Sequence, residues 1–260
     1  MDKQLIRTRF TKSIRNYTES AQAQAIIASR LCCLLPSVLP HNPERVLEIG
    51  CGTGTFTRLF LERFYPQAMT LNDICPEVWP AVISAISSDF NGKDRKPVLK
   101  FAPGDAETCP LPDGQDLIVS CSVIQWFEDL EAFISRCHGL LREGGCLALT
   151  TFGPDNLQEV AAITGTGLSY LPMERINALL PEEHFRTVLA EEEHITLRFP
   201  SPEDVLRHLK NTGVTGIART FWTRGRLAEF SASYRASYGD SDGKVPLTYH
   251  PIYIIAKRRR

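Results

Sequence analysis

The sequence predicts an α/β fold, a mostly parallel sheet with helices on both faces, and three observations carry that expectation. Short apolar β-type runs alternate with helical stretches from residue 45 onward. One run leads directly into a glycine-rich turn and a helix, Val46-Leu47-Glu48-Ile49-Gly50-Cys51-Gly52-Thr53-Gly54. The chain has 260 residues, 43% of them hydrophobic, enough to fill a sizeable core.

At the N-terminus, Ile6, Phe10, Ile14, Tyr17, Ala21, Ala25 and Ala28 recur at steps of three or four, the period of one helical face. A helical segment over 5–31, broken near Asn16, is expected. Pro36, Pro40 and Pro43 end it. Strands follow at 45–49, 68–71, 98–102, 117–120 and 146–151, and the runs 194–199 and 252–256 extend the sheet to seven. A helix at 55–63 succeeds the glycine turn. Between the last two runs, Ser201-Pro202-Glu203-Asp204 supplies a capping side chain, a first-turn proline and acids for a helix that runs to Lys210 and stops near Gly213. Another starts around Thr223 and carries Leu227, Phe230 and Tyr234. One domain over 1–260 is expected: a helical cap (1–40), a sheet core (44–200), a helical insertion (201–245), then a last strand and basic tail (246–260).

Composition removes several function classes. Lys plus Arg number 29 against 30 Asp plus Glu, and a formal charge of −1 offers no global attraction to nucleic acid or to an anionic membrane. The longest uncharged run, 160–173, is interrupted by Gly and Pro and falls short of the roughly 18 residues a bilayer span needs. No apolar stretch follows Met1, so a cytoplasmic location is expected. The eight cysteines form no Cys-x-x-Cys pair and no His stands at metal spacing, so they read as small buried residues and no metal is expected.

Spacing in the glycine turn discriminates among ligands. A dinucleotide site needs Gly-x-Gly-x-x-Gly, and here the third glycine comes one residue early; the phosphate-loop pattern is absent. Glu-x-Gly-x-Gly-x-Gly resembles motif I of the class I S-adenosylmethionine (AdoMet) methyltransferases. Asp73 after the second strand, Gly104-Asp105-Ala106 after the third, the fourth strand ending at Ser120, and Gly144-Gly145 before the fifth follow in the same order. The resemblance implies a Rossmann-like seven-stranded sheet whose last strand is antiparallel. It also implies AdoMet as cofactor, held by Glu48, Gly50, Gly52, Gly54, Asp73, Asp105, Ala106 and Ser120.

The flanks narrow the resemblance. Arg9-Phe10, Tyr17, Ala21 and Gln24, then Gln125-Trp126, then Leu209-Lys210 with Gly213 and Thr215, and finally Pro246-Leu247-Thr248-Tyr249-His250 are similar to the malonyl-acyl-carrier-protein O-methyltransferase family of biotin synthesis. Lys12, Thr53 and Gly216 stand where that family commonly has Arg, Pro or His. The resemblance implies methylation of the free carboxylate of a malonyl thioester, on carrier protein or coenzyme A. Tyr17, Gln125 and Trp126 take catalytic roles, and Gln24, Thr215, Arg224, Tyr249 and His250 face the acceptor under a helical lid. Such a carboxylate is already ionised near neutral pH and needs no general base. An acyl carrier protein is acidic, and residues 1–18 carry a net charge of +4, which suggests docking there. Two other readings remain at this stage: a methyltransferase of another small acceptor, such as a quinone precursor or free dicarboxylate, and a non-catalytic methyltransferase-like assembly module. Oligomeric state stays open.

Overall fold

The computed structural model describes residues 2–39, 41–87, 97–213 and 222–259. The chain begins with two helices, α1 (Lys3–Ser20) and α2 (Gln22–Val38), which break at Ala21 rather than near Asn16. Asp2 caps α1 by accepting from the Leu5 N–H at 2.9 Å. Pro36 sits inside the last turns of α2, so the helix outlasts the first proline.

From residue 45 the order is β1 (Arg45–Ile49), α3 (Thr55–Arg63), β2 (Ala68–Asp73), α4 (Trp79–Ser87), β3 (Val98–Pro103), β4 (Gln115–Cys121), α5 (Leu130–Leu140) and β5 (Leu141–Phe152). Then come α6 (Gln158–Thr164), α7 (Met173–Asn177), β6 (Phe185–Glu192), β7 (Ile195–Phe199), α8 (Pro202–Asn211), α9 (Arg224–Tyr238), β8 (Val245–Tyr249) and β9 (Pro251–Arg258). Seven strands form one sheet in the order β3-β2-β1-β4-β5-β9-β6. The pairs joining β1 to β5 are parallel, and β9 runs antiparallel to both β5 and β6.

One strand assignment changes. The expected sixth strand at 194–199 belongs elsewhere: β7 pairs with β8 in a separate two-stranded sheet, and Phe185–Glu192 takes the sheet edge beside β9. The last strand accordingly begins at Pro251, and residues 245–249, expected to be the end of the insertion and the start of that strand, form β8. The two helices after β7 match their sequence signals. Ser201 accepts from the Asp204 N–H at 3.2 Å with Pro202 at the first position, and Thr223 caps α9.

The pleat sends alternate residues of each strand to opposite faces. Val46, Leu117, Ala148 and Ile255 enter the core under α2 and α3, while Leu47, Ile118, Leu149 and Ile254 enter the one under α5. Central strands covered on both sides therefore read as continuous apolar runs. The strand order reverses between β1 and β4, and the chain leaves both strands at the same edge. That is the crevice in which open α/β sheets bind ligands. No helix among the described residues is long and apolar enough to cross a membrane.

Candidate active site

A cavity opens at this crevice, floored by the ends of β1, β2 and β4 and roofed by α1 and α2. The floor is the glycine turn. Gly50 has φ +70°, and a Cβ there would lie 2.3 Å from Val123 Cγ2, so the strand can pass under residue 123 only as glycine. Gly54 has φ +85° and precedes α3 without a side-chain cap, which leaves the first amides of that helix facing the turn.

Two buried carboxyls sit beneath. Asp73 at the end of β2 accepts from the Gly52 N–H at 2.9 Å through Oδ2 and from the Cys75 N–H at 2.8 Å through Oδ1. Burial raises its pKa to about 6, against the lowering by those two amides. It lines the cavity with acceptor capacity to spare, as a ribose diol requires. Glu48 is 1% exposed and accepts from the Thr57 hydroxyl at 2.7 Å; burial first, with the nearby Asp73 adding, pushes its pKa to about 8.

The third wall is pinned from below. Asn72 donates its amide to the carbonyls of Ala102 and Gly104, at 2.8 and 3.0 Å, and so ties the loop carrying Asp105 and Ala106 to β2. Both residues line the cavity. Asp105 is also joined to α1: Lys3 Nζ lies 2.6 Å from its Oδ2 and pairs with Glu107 as well. Ser120 is fully buried with an unpartnered hydroxyl and does not line the cavity; Cys121, Ser122 and Val123 do. Ser122 has φ +60°, a conformation uncommon outside glycine, and its Oγ is buried without a partner.

Above the floor the lining becomes aromatic and amide-bearing: Phe10, Tyr17, Gln24, Trp126, Phe152 and Tyr170. Phe10 and Tyr17 pack edge to face with centroids 4.9 Å apart. Burial raises the Tyr17 pKa, with Cys121 and Asp73 adding to the rise, so the phenol stays protonated. Gln125 is fixed by donating to the Ser122 carbonyl at 2.7 Å and by receiving the Thr151 hydroxyl at 3.4 Å. Thr212 and Gly213, at the end of α8, close the far side.

This arrangement can hold a nucleoside-bearing ligand on the floor and a second reactant against the roof. Comparison with known proteins gives it a family. Residues 47–149 match the family described as "Methyltransferase domain". A malonyl-[acyl-carrier protein] O-methyltransferase of Bacteroides helcogenes is 42% identical over 274 residues, covering 100% of each chain. The chain belongs to the malonyl-[acyl-carrier protein] O-methyltransferase family. It is accordingly an AdoMet-dependent methyltransferase. Among solved structures, a candidate methyltransferase of Bacillus halodurans superposes with TM-score 0.64 at 17% identity, covering 89% of this chain and 100% of that one. The Bradyrhizobium japonicum N-methyltransferase NodS, solved with S-adenosyl-L-homocysteine, superposes with TM-score 0.51 at 16% identity, covering 93% and 88%. Both likenesses are of fold.

Within this family member the expected site residues separate by where they lie. Tyr17, Gln24, Glu48, Gly50, Gly52, Asp73, Asp105, Ala106, Gln125 and Trp126 line one cavity, although they come from both ends of the first half of the chain. Gly54 shapes the turn from outside that lining; Tyr249 lies buried behind it. His250 and Arg224 are elsewhere. The His250 ring stacks on His194 at 4.3 Å and accepts from the Asp155 N–H at 3.2 Å, while Arg224 is exposed at the start of α9. Thr215 and Gly216 lie outside the described residues. Of the N-terminal cations, Lys3 is engaged with Asp105 and Glu107 and Arg7 faces Glu77 at 3.3 Å. Sequence reasoning missed Lys3, Ser122, Tyr170 and Thr212 as lining residues. Only Ser122 had a usable signal, because it follows the fourth strand immediately; the others reach the cavity through tertiary packing.

Proposed function

We propose that this enzyme methylates the free carboxylate of malonyl-acyl-carrier protein, giving the malonyl methyl ester thioester that primes pimeloyl formation in biotin biosynthesis. The observation that carries this reading is the contrast between the cavity's two ends. An acidic, glycine-cradled floor suits a cationic nucleoside donor, and the roof offers amides, hydroxyls and aromatic rings with no histidine among the described lining residues. A protonated acceptor would require a base there; a malonyl carboxylate, with a pKa well below 7, requires only desolvation and orientation.

Held over the glycine turn by Glu48, Asp73 and Asp105, AdoMet would supply an electrophilic methyl carbon, and transfer to the carboxylate oxygen would leave the carbon–sulfur electron pair on a neutral thioether. The residues position that exchange. Asp73 is proposed to accept from the ribose hydroxyls, Asp105 and the Ala106 amide to read the adenine, and Glu48 to face the cationic end of the donor. Gln125 and Trp126 support the junction between donor and acceptor, and Tyr17 and Gln24 orient the acceptor from the roof. The helices α8 and α9 act as a lid whose inner edge is Thr212-Gly213.

The decisive test mixes purified enzyme, AdoMet labelled in its methyl group, and malonyl carrier protein. A base-labile methyl ester on the carrier-bound malonyl group is expected. Label appearing only in free dicarboxylates or quinols overturns the acceptor; binding of AdoMet with no transfer to any of them favours the non-catalytic reading.

A further inference from the structure

His208 of α8 is buried, and its Nε2 lies 2.7 Å from the hydroxyl of Tyr249, the last residue of β8. Neither residue lines the cavity. Tyr249 is 1% exposed, and its hydroxyl meets the side chains of Gln24, whose amide donates to it, and of Thr212, both of which line the cavity. The other end of that amide, Gln24 Oε1, is buried without a partner. Three elements far apart in sequence thus contribute to one chain of polar groups that ends at the cavity wall.

The direction of the Gln24–Tyr249 bond follows from the partners. Gln24 uses its nitrogen on Tyr249, because its oxygen is unpaired; the Tyr249 hydroxyl accepts from that amide and meets the His208 ring nitrogen at 2.7 Å on its other side. Burial holds His208 neutral, with its pKa lowered to about 4, and Phe199 packs on the ring at 5.0 Å between centroids.

The backbone holding Tyr249 is fastened on both sides of it. The Thr248 N–H and hydroxyl donate to the buried Glu159 carboxylate at 3.0 and 2.5 Å, and the His250 N–H donates to Asn156 Oδ1 at 3.3 Å. Thr248 and His250 thus fix the strand end, and Tyr249 carries the connection inward.

We propose that His208 is a positioning residue: through Tyr249 it holds the Gln24 carboxamide in the orientation that receives the acceptor half of the substrate. The proposal rests on the acceptor reading given above, since it concerns the roof end of the same cavity. A buried amide oxygen with no partner is costly, and a ligand donor, such as the amide N–H of a pantetheine arm, satisfies it on binding. His208 itself touches neither reactant. It acts from the lid helix, so the amide is held in place only while α8 is packed against β8.

The test compares His208→Leu, His208→Gln and Tyr249→Phe in the full enzyme. Glutamine places a polar terminal group near the imidazole Nε2 position, whereas leucine fills the space without one. His208→Leu is expected to raise KM for malonyl carrier protein about tenfold, with the dissociation constant for AdoMet changed less than about twofold; His208→Gln should recover most of the loss. Tyr249→Phe breaks the same chain one residue nearer the cavity and should reproduce the KM effect, and the double variant should be no worse than Tyr249→Phe alone. Additive losses, equal losses in the Leu and Gln variants, or a wild-type KM in His208→Leu overturn the proposal. If His208→Leu does not fold, His208→Asn, whose shorter amide stops short of the Tyr249 hydroxyl, takes its place in the same comparison with Tyr249→Phe. A wild-type enzyme that binds AdoMet and leaves malonyl carrier protein unmethylated refutes the acceptor reading instead, which separates the two failures.

Discussion

The floor of the cavity is one short stretch of backbone, residues 48–54, with Asp73 and the loop at 104–106 beside it, whereas the roof draws on residues 10, 17, 24, 126, 170 and 212. The floor is shaped by main-chain geometry: positive φ at Gly50, Gly52 and Gly54, and the Gly52 amide committed to Asp73. The roof is shaped by side chains that meet only when α1, α2 and α8 fold over the sheet. A floor made of left-handed backbone tolerates little change, and at Gly50 an added atom has nowhere to go; a roof made of side chains can be altered in steps. Damage to the floor should therefore appear in donor affinity, and damage to the roof in acceptor kinetics.

The largest effect should come from Gly50→Ala. Its Cβ would meet Val123 at 2.3 Å in a left-handed backbone conformation, and AdoMet affinity measured by calorimetry should fall ~100-fold or more. Retained affinity would show that the turn can shift, and would remove the contrast between floor and roof. Asp73→Ala comes next, with a loss of roughly 1–3 kcal/mol in AdoMet binding from the missing ribose hydrogen bonds. An unchanged dissociation constant would move the ribose elsewhere.

Glu48→Gln sharpens the comparison through pH. The folded-state pKa of Glu48 is raised from 4.5 to about 8, so its contribution to stability is fully present below about 4.5 and is lost as pH rises toward 8. The ligand-free variant should match wild type near pH 4 and melt several degrees higher, on the order of 3–6 °C, near pH 9. A melting difference independent of pH would mean that Glu48 is ionised throughout. Binding of a cationic donor should also expel the Glu48 proton, so wild-type affinity strengthens up to about pH 8 and the variant loses that rise.

On the roof, Tyr17→Phe keeps the ring and its packing against Phe10 while removing the hydroxyl. It should lower kcat/KM for the malonyl substrate by about fivefold with AdoMet affinity unchanged. Equal loss in both would place the hydroxyl on the donor instead. The smallest effect belongs to Arg224→Ala, expected to change KM by less than about twofold because the side chain is exposed and outside the cavity lining. A tenfold rise would show that Arg224 itself reaches the acceptor when α8 and α9 close.

Most of the sheet could be read directly from the chain, and the exception is instructive. Residues 195–199 alternate apolar and polar as a half-covered strand should, and they do form one, but its partner is β8. The true edge strand, Phe185–Glu192, ends in a run of acids and is mostly half-buried, so its pattern is weak. Periodicity reports which face of a strand is covered and carries no information about its neighbour. The same limit explains Ser120, which points into the sheet while Ser122 turns toward the cavity. It also explains His250, whose place in a five-residue motif reflects fastening of β8 to the loop after β5.

By itself the sequence determined the glycine turn between β1 and α3, because glycine spacing and the strand–turn–helix order are local properties of the backbone and survive whatever surrounds them. It also determined the caps of α8 and α9, each a contact between residues three apart. Only the tertiary structure decided which side chains line the roof of the cavity. Tyr249 could have pointed into the cavity or behind it, and the choice was made by Glu159, Asn156 and His208, none of them its neighbour in sequence. Side-chain direction in such a place is set by long-range packing and by the need to pair buried polar groups, neither of which a linear pattern records.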